Sequence, residues 1–237
     1  MGCTLLAWYV TIAAFAGMPA GQGSMGVSPA GFLAAWTLMM VAMMLPALAP
    51  LTSMYLRSIS AVPSTRVRAF RTTALLCGYL ATWIGFGVFA YIATVLSAML
   101  AADSPDIAPW VGAGLILAAG VYQLTPAKDF CLRHCRSPMA FLLHVSGYKG
   151  RFRDVRVGLY HGLYCIGCCW GLMIVLVAVG VMNLAWMAVL TATILLEKTW
   201  KHGRAFSRFT GASLVVFAFF VPAHPWLLPG LYMSPAM

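Results

Sequence analysis

The chain has 237 residues, of which 62% are hydrophobic and only 8% charged. A soluble domain carries about 25% charged residues, so this composition cannot cover a water-facing surface; it excludes a soluble enzyme, a disordered binder and a nucleic-acid module. A net charge of +10 and a pI of about 9.6 suit either nucleic acid or membrane, and a mean hydropathy of +0.89 decides for the lipid bilayer.

Seven apolar stretches reach or approach the roughly 20 residues that a membrane-crossing helix needs. They run roughly over 4–18, 32–56, 72–100, 109–126, 157–181, 184–200 and 209–228. Continuous apolar runs argue against a transmembrane barrel, whose strands alternate. The expected fold is therefore all-α: one integral membrane domain over 1–237, a polytopic transmembrane bundle of about seven helices, or six if the first is re-entrant. The first stretch is short enough for a signal-peptide core. Met1 to Ala30 holds no Lys or Arg, however, so the charged segment that precedes such a core is missing.

All 15 Lys and Arg fall in three connections or at the helix ends beside them. Arg57, Arg66, Arg68 and Arg71 lie between the second and third stretches. Lys128, Arg133, Arg136, Lys149, Arg151, Arg153 and Arg156 lie in or beside a basic loop at 127–156. Lys198, Lys201, Arg204 and Arg208 precede the last stretch. Positively charged connections stay cytoplasmic. This predicts an integral membrane protein with its N-terminus in the cytoplasm and its C-terminus outside.

Within the second stretch, Met39, Met40, Met43 and Met44 form two adjacent i, i+4 pairs just before Pro46. Thioethers suit soft ions such as Cu(I), although methionine also fills irregular cores. Pro46 and Pro50 each remove a backbone hydrogen bond inside this stretch.

The cysteines come next in chain order. Five of the seven fall within 39 residues, at 131, 135, 165, 168 and 169. A reducing cytoplasmic face disfavours structural disulfides, and cysteines grouped this way bind metal or do redox chemistry. Cys131 and Cys135 share a face if their segment is helical. His161, Cys165 and Cys169 form an i, i+4, i+8 stripe that Met173 continues, and Cys168 borders it. Packing is the competing reading, since free cysteine behaves as a small hydrophobe. Polar groups at this depth are functional by default. Gly158, Gly162, Gly167 and Gly171 on the same stretch would let another helix approach closely. Adjacent residues on a helix point about 100° apart. The expected site is therefore His161, Cys165 and one of Cys168 and Cys169, completed from another helix. Zinc is the rival metal, because three Cys and one His form an ordinary structural zinc set. Glu197, the single glutamate, is expected near the cytoplasmic interface, paired with Lys198 or a loop arginine.

These residues resemble a bacterial family described as predicted metal-binding integral membrane proteins, some of whose members are labelled copper chaperones. The resemblance runs from about Met39 to Lys198. It is carried by Ala42-Met43-Met44-Leu45-Pro46, by Tyr122-Gln123, Pro126, Lys128, Cys131-Leu132, Cys135-Arg136 and Pro138, and by His161-Gly162, Tyr164-Cys165 and Gly167-Cys168-Cys169-Trp170. Gly180-Val181-Met182-Asn183, Trp186-Met187 and Glu197-Lys198 complete it. It implies metal binding.

Two functions follow as expectations. One is a copper-handling membrane protein in which Cys131 and Cys135 receive Cu(I), His161, Cys165, Cys168 and Cys169 hold it, and Met39, Met43 and Met44 relay it to a metal acceptor. The other is an accessory subunit of a larger membrane complex, such as a copper-dependent oxidase or monooxygenase. Thiol–disulfide exchange is a weaker third, since the Cys165/Cys168 pair sits within a membrane stretch. Catalysis is not expected: no Ser-His-Asp set, phosphate loop, haem-attachment motif or paired carboxylates appear.

Overall fold

A computed structural model describes residues 2–15, 28–181, 183–228 and 231. Among these residues there are nine α-helices and no strand. They are α1 (Gly2–Phe15), α2 (Pro29–Ser58), α3 (Thr65–Asp103), α4 (Ala108–Gln123), α5 (Pro126–Arg136), α6 (Pro138–His144), α7 (Arg153–Val179), α8 (Leu184–Thr199) and α9 (Gly203–Phe220). Three are long and apolar enough to cross a membrane: α2, α3 and α7. A fourth span results if α4 and α5, bent by 63° at their junction, count as one. This is fewer than the expected seven. With 14 and 16 residues, α1 and α8 are short; at about 1.5 Å per residue they fall below a hydrocarbon core of about 30 Å. Arg204 and Arg208 make the first half of α9 polar.

The boundaries follow local chemistry. The Ser28 hydroxyl accepts from the Gly31 amide at 3.2 Å to open α2, with Pro29 at the first helical position. Despite Pro46 and Pro50, α2 continues to Ser58. Thr125 caps α5 by accepting from the Lys128 amide at 3.3 Å, and Asn183 caps α8 by accepting from Trp186 at 3.2 Å. At the end of α7 the chain reaches Gly180 with φ 99°, a left-handed conformation that favours glycine. The expected basic loop is thus largely helical, because Pro126 and Pro138 each start a new helix and the 63° bend lays α5 across α7.

The α3–α7 seam is the closest packing in the bundle. A Cβ on Gly78 would strike the Val155 carbonyl, and one on Gly158 would strike the Leu75 carbonyl. Gly162 lies against the Thr82 side chain. The small residues therefore put backbone against backbone, as helices in membranes do. The seam also brings Tyr79 of α3 level with the cysteines of α7.

Salt bridges gather the three basic connections at one end of the bundle. Arg71 pairs with Asp154 at 3.0 Å, and Arg204 and Arg208 approach Asp129 at 3.8 and 3.4 Å. Large apolar side chains such as Phe70, Phe89, Leu96, Leu163 and Phe219 remain exposed on the outside of the helices, the arrangement a lipid-facing surface requires.

Candidate metal centre

The stripe on α7 faces inward: His161, Cys165, Cys168 and Cys169 are all buried. The sulfurs of Cys165, Cys168 and Cys169 all lie within 4.8 Å of one another. Cys168 and Cys169 are 3.3 Å apart. On a tetrahedral ion with bonds of about 2.3 Å, two sulfurs stand about 3.8 Å apart, so the three are close enough to share one ion. This departs from the expectation that Cys168 and Cys169 would diverge. The helix α7 stays continuous through both residues, and their sulfurs nonetheless meet.

Cys135 brings a further sulfur from a second helix, beside Cys168 but outside the group of three. It is half-buried, and its Sγ lies 3.6 Å from that of Cys168. Cys131, one turn earlier on α5, sits against Gly167, where a Cβ would meet its Sγ. Both loop cysteines therefore face α7, as their i, i+4 spacing in a helix requires. His161 stands one turn from Cys165, its ring between Tyr79 and Phe141 with centroids 6.0 and 4.9 Å away. Its buried Nδ1 has no hydrogen-bond partner among the described residues, and such orphans are rare.

Charged groups crowd the cluster in a way the sequence reading did not anticipate. The Lys198 ammonium of α8 donates to the Cys165 sulfur at 2.9 Å, and the Tyr79 hydroxyl lies 3.0 Å from the same atom. Thiolate is the form of cysteine that binds metal, and a cation at this distance stabilises negative charge on the sulfur. Glu197 does not pair with Lys198. Its carboxylate accepts from Lys128 at 2.7 Å and from the Gln123 amide at 2.8 Å, and the Lys128–Glu197 pair is about 1% exposed. Lys128 also donates to the Cys168 carbonyl. The loop arginine expected near Glu197 is Arg136, which reaches its backbone carbonyl at 2.6 Å rather than its carboxylate.

The reason for the reversal is helical geometry. Adjacent residues diverge by about 100°, so Glu197 and Lys198 turn to different neighbours, α5 and α7. Gln123, Lys128 and Lys198 stand among the residues of the resemblance but not among the expected ligands, and Tyr79 was in neither set; the structure buries all four at the cluster, where buried charge needs a partner. Tyr122, another residue of the resemblance, donates to the Gly167 carbonyl at 2.5 Å. The signature is therefore spatial as well as sequential, its members from α4, α5, α7 and α8 meeting around three sulfurs.

Met39, Met40, Met43 and Met44 are fully buried in the core on α2, which packs on α1, α3 and α8. They share one buried apolar cluster with Cys165, Cys168 and Cys169.

A family model, PpoB2, described as a copper chaperone, matches residues 33–221. That stretch contains every residue of the cluster. No curated protein and no solved structure matches the chain.

Proposed function

The chain belongs to this copper-chaperone family, and from that premise we propose that it carries monovalent copper through a membrane bundle on a buried thiolate cluster. One observation carries the reading: the three α7 sulfurs within 4.8 Å of one another, with the Lys198 ammonium against one of them. Soft thiolates select Cu(I), and hard, hydrated ions are penalised in such a site. Octahedral Mg²⁺ or Ca²⁺ sites want six or more oxygens, and the carboxylates nearest the cluster, Glu197 and Asp129, are already engaged with Lys128 and with Arg204 and Arg208.

In this reading copper is cargo. Cys165, Cys168 and Cys169 are the holding ligands, and His161, which lies one turn away and outside that group of three in the structure, joins them only if its ring turns towards the ion. Cys135, half-buried and 3.6 Å from Cys168, receives the ion first, with Cys131 one turn away. Handover is ligand exchange: Cu(I) gains one sulfur before it loses another, so no electron moves. Met39, Met43 and Met44 form the later relay towards an acceptor. Zinc is the competing metal, and no catalytic role is assigned.

The surrounding frame belongs to the same proposal. It is one integral membrane domain in a bacterial inner membrane, crossed by α2, α3 and α7 and by α4 and α5 together if that bent pair is one span. The basic end faces the cytoplasm, and so does the N-terminus. The C-terminal segment 232–237, expected outside, lies beyond the described residues. The salt bridges that join the three basic connections support placing them on one side.

Metal analysis of the protein purified in detergent, with Cu(I) competition against a colorimetric chelator, tests the reading. One tightly held copper per chain is the expected result. Fully reduced protein that takes up neither copper nor zinc overturns it. Stoichiometric membrane partners in the same preparation would instead favour the accessory-subunit role.

A further inference from the structure

A cavity of about 480 Å³ lies between the C-terminal end of α2, α6 and the first turns of α7, and none of the cysteines lines it. Its size is that of a small-molecule site. Met54, Leu142, Leu143 and Val145 give it apolar walls, while Arg57 and Arg153 stand in its lining. The Arg153 Nε is buried with no hydrogen-bond partner among the described residues. Tyr55 also lines the cavity, but its hydroxyl is committed to Asp154 at 2.5 Å.

The missing element is an anion. The chain has five carboxylates. Asp154 is bound by Arg71 and Tyr55, Asp129 lies against Arg204 and Arg208, and Glu197 is bound by Lys128 and Gln123. Asp103 ends α3, 32 residues and about 48 Å along the helix from Arg71, and Asp106 follows it. Neither Arg57 nor Arg153 forms a salt bridge among the described residues, although Asp154 adjoins Arg153 in the chain. Two guanidiniums outside any salt bridge, at the mouth of an apolar cavity and at the polar end of membrane-length helices, match one ligand chemistry: a phosphate diester on an acyl chain.

We propose that this cavity is a binding site for an anionic glycerophospholipid. Arg57 and Arg153 hold the phosphate, and an acyl chain lies along Met54, Leu142 and Val145, entering past the exposed Leu143 and Met139. Arginine suits this role because its planar fork matches phosphate oxygens in pairs. The proposal rests on the membrane setting but not on copper, so the two can fail separately.

The test uses the full chain purified in maltoside detergent. Thermal unfolding is followed on adding dioleoyl phosphatidylglycerol, dioleoyl phosphatidylcholine or inorganic phosphate. Phosphatidylglycerol alone should raise the midpoint. The paired substitution Arg57→Gln/Arg153→Gln should weaken its apparent affinity about 25-fold, taking about fivefold per guanidinium near a membrane surface. The pair Arg66→Gln/Arg68→Gln, outside the cavity lining, should change it much less. Leu143→Asp, at a side chain 68% exposed, puts a carboxylate at the entrance and should give the same loss should the arginine pair fail to fold. Equal stabilisation by both lipids, a full effect from inorganic phosphate, or equal losses from the two arginine pairs would overturn the proposal.

Discussion

Met39, Met40, Met43 and Met44 on α2 and Cys165, Cys168 and Cys169 on α7 are both buried sulfur clusters at helical spacing, and both belong to one apolar core, yet polar partners gather at the second. The thiols meet an ammonium, a phenol and a fourth sulfur, and a lysine–glutamate pair stands behind them. Sulfur alone does not make a site. Uncharged thioethers are at home in a dry core, whereas negative charge on sulfur survives there only beside a cation. The cysteine region is thus a polar island built from four helices, and the methionine region remains ordinary core unless copper passes along it.

The sharpest way to break this contrast is Cys165→Ser. Serine still offers Lys198 and Tyr79 a polar atom, so the fold should survive, but a hydroxyl is a poor ligand for a soft ion. Stoichiometric copper should be lost, as read by metal analysis of the purified variant. Unchanged copper content would remove the α7 thiols from the proposed function.

Next in size is Glu197→Gln, which leaves the Lys128 ammonium buried without its anion. Breaking a buried pair costs about 3–5 kcal/mol. Thermal unfolding in detergent should show a large fall, and Lys128→Met/Glu197→Gln together should recover much of it. Equal falls in the single and double variants would mean that the pair contributes nothing specific.

Both clusters were legible in the sequence to different depths. The α7 stripe could be read because His161, Cys165 and Cys169 are local: one helix places them on one face whatever else happens. The pairing of Cys131 and Cys135 on one face followed from the same rule once α5 proved helical. The Lys128–Glu197 pair was not legible, because 69 residues separate its members and only the 63° bend after α4 brings them together. The charge on Lys198 was visible, but its direction was hidden by its neighbour Glu197, the obvious partner in sequence and the wrong one in space. Crossing number was overread because hydropathy counts apolar residues, whereas a span also needs an unbroken helix of sufficient length.

A smaller effect separates packing from chemistry on α7 itself. Gly158→Leu must push α3 and α7 apart, since its Cβ would strike the backbone of Leu75 and of Tyr79. Overpacking of this kind costs about 1–3 kcal/mol. Gly114→Leu, at a position with nothing within 4 Å of the added Cβ, should unfold like the parent. Similar melting of both variants would show that the α3–α7 seam yields easily.

The smallest expected change is Met43→Leu. A volume-conserving swap in an apolar core costs less than about 1.5 kcal/mol, and copper content should be unchanged because the holding ligands are elsewhere. The informative measurement is release to an acceptor thiol peptide after loading with Cu(I). Slower release with an unchanged load would assign the methionines to the path, and identical release would leave them as core.

Glu197 is gripped twice by the same short helix. Lys128, in the first turn of α5, holds its carboxylate, and Arg136, the last residue of α5, holds its carbonyl and that of Lys201. A rod pinned at both ends can neither roll about its axis nor slide along it. Cys131 and Cys135 lie between the two pins. Their sulfurs consequently have a fixed bearing as well as a fixed distance from α7, and a metal arriving at Cys135 meets donors that are already aimed.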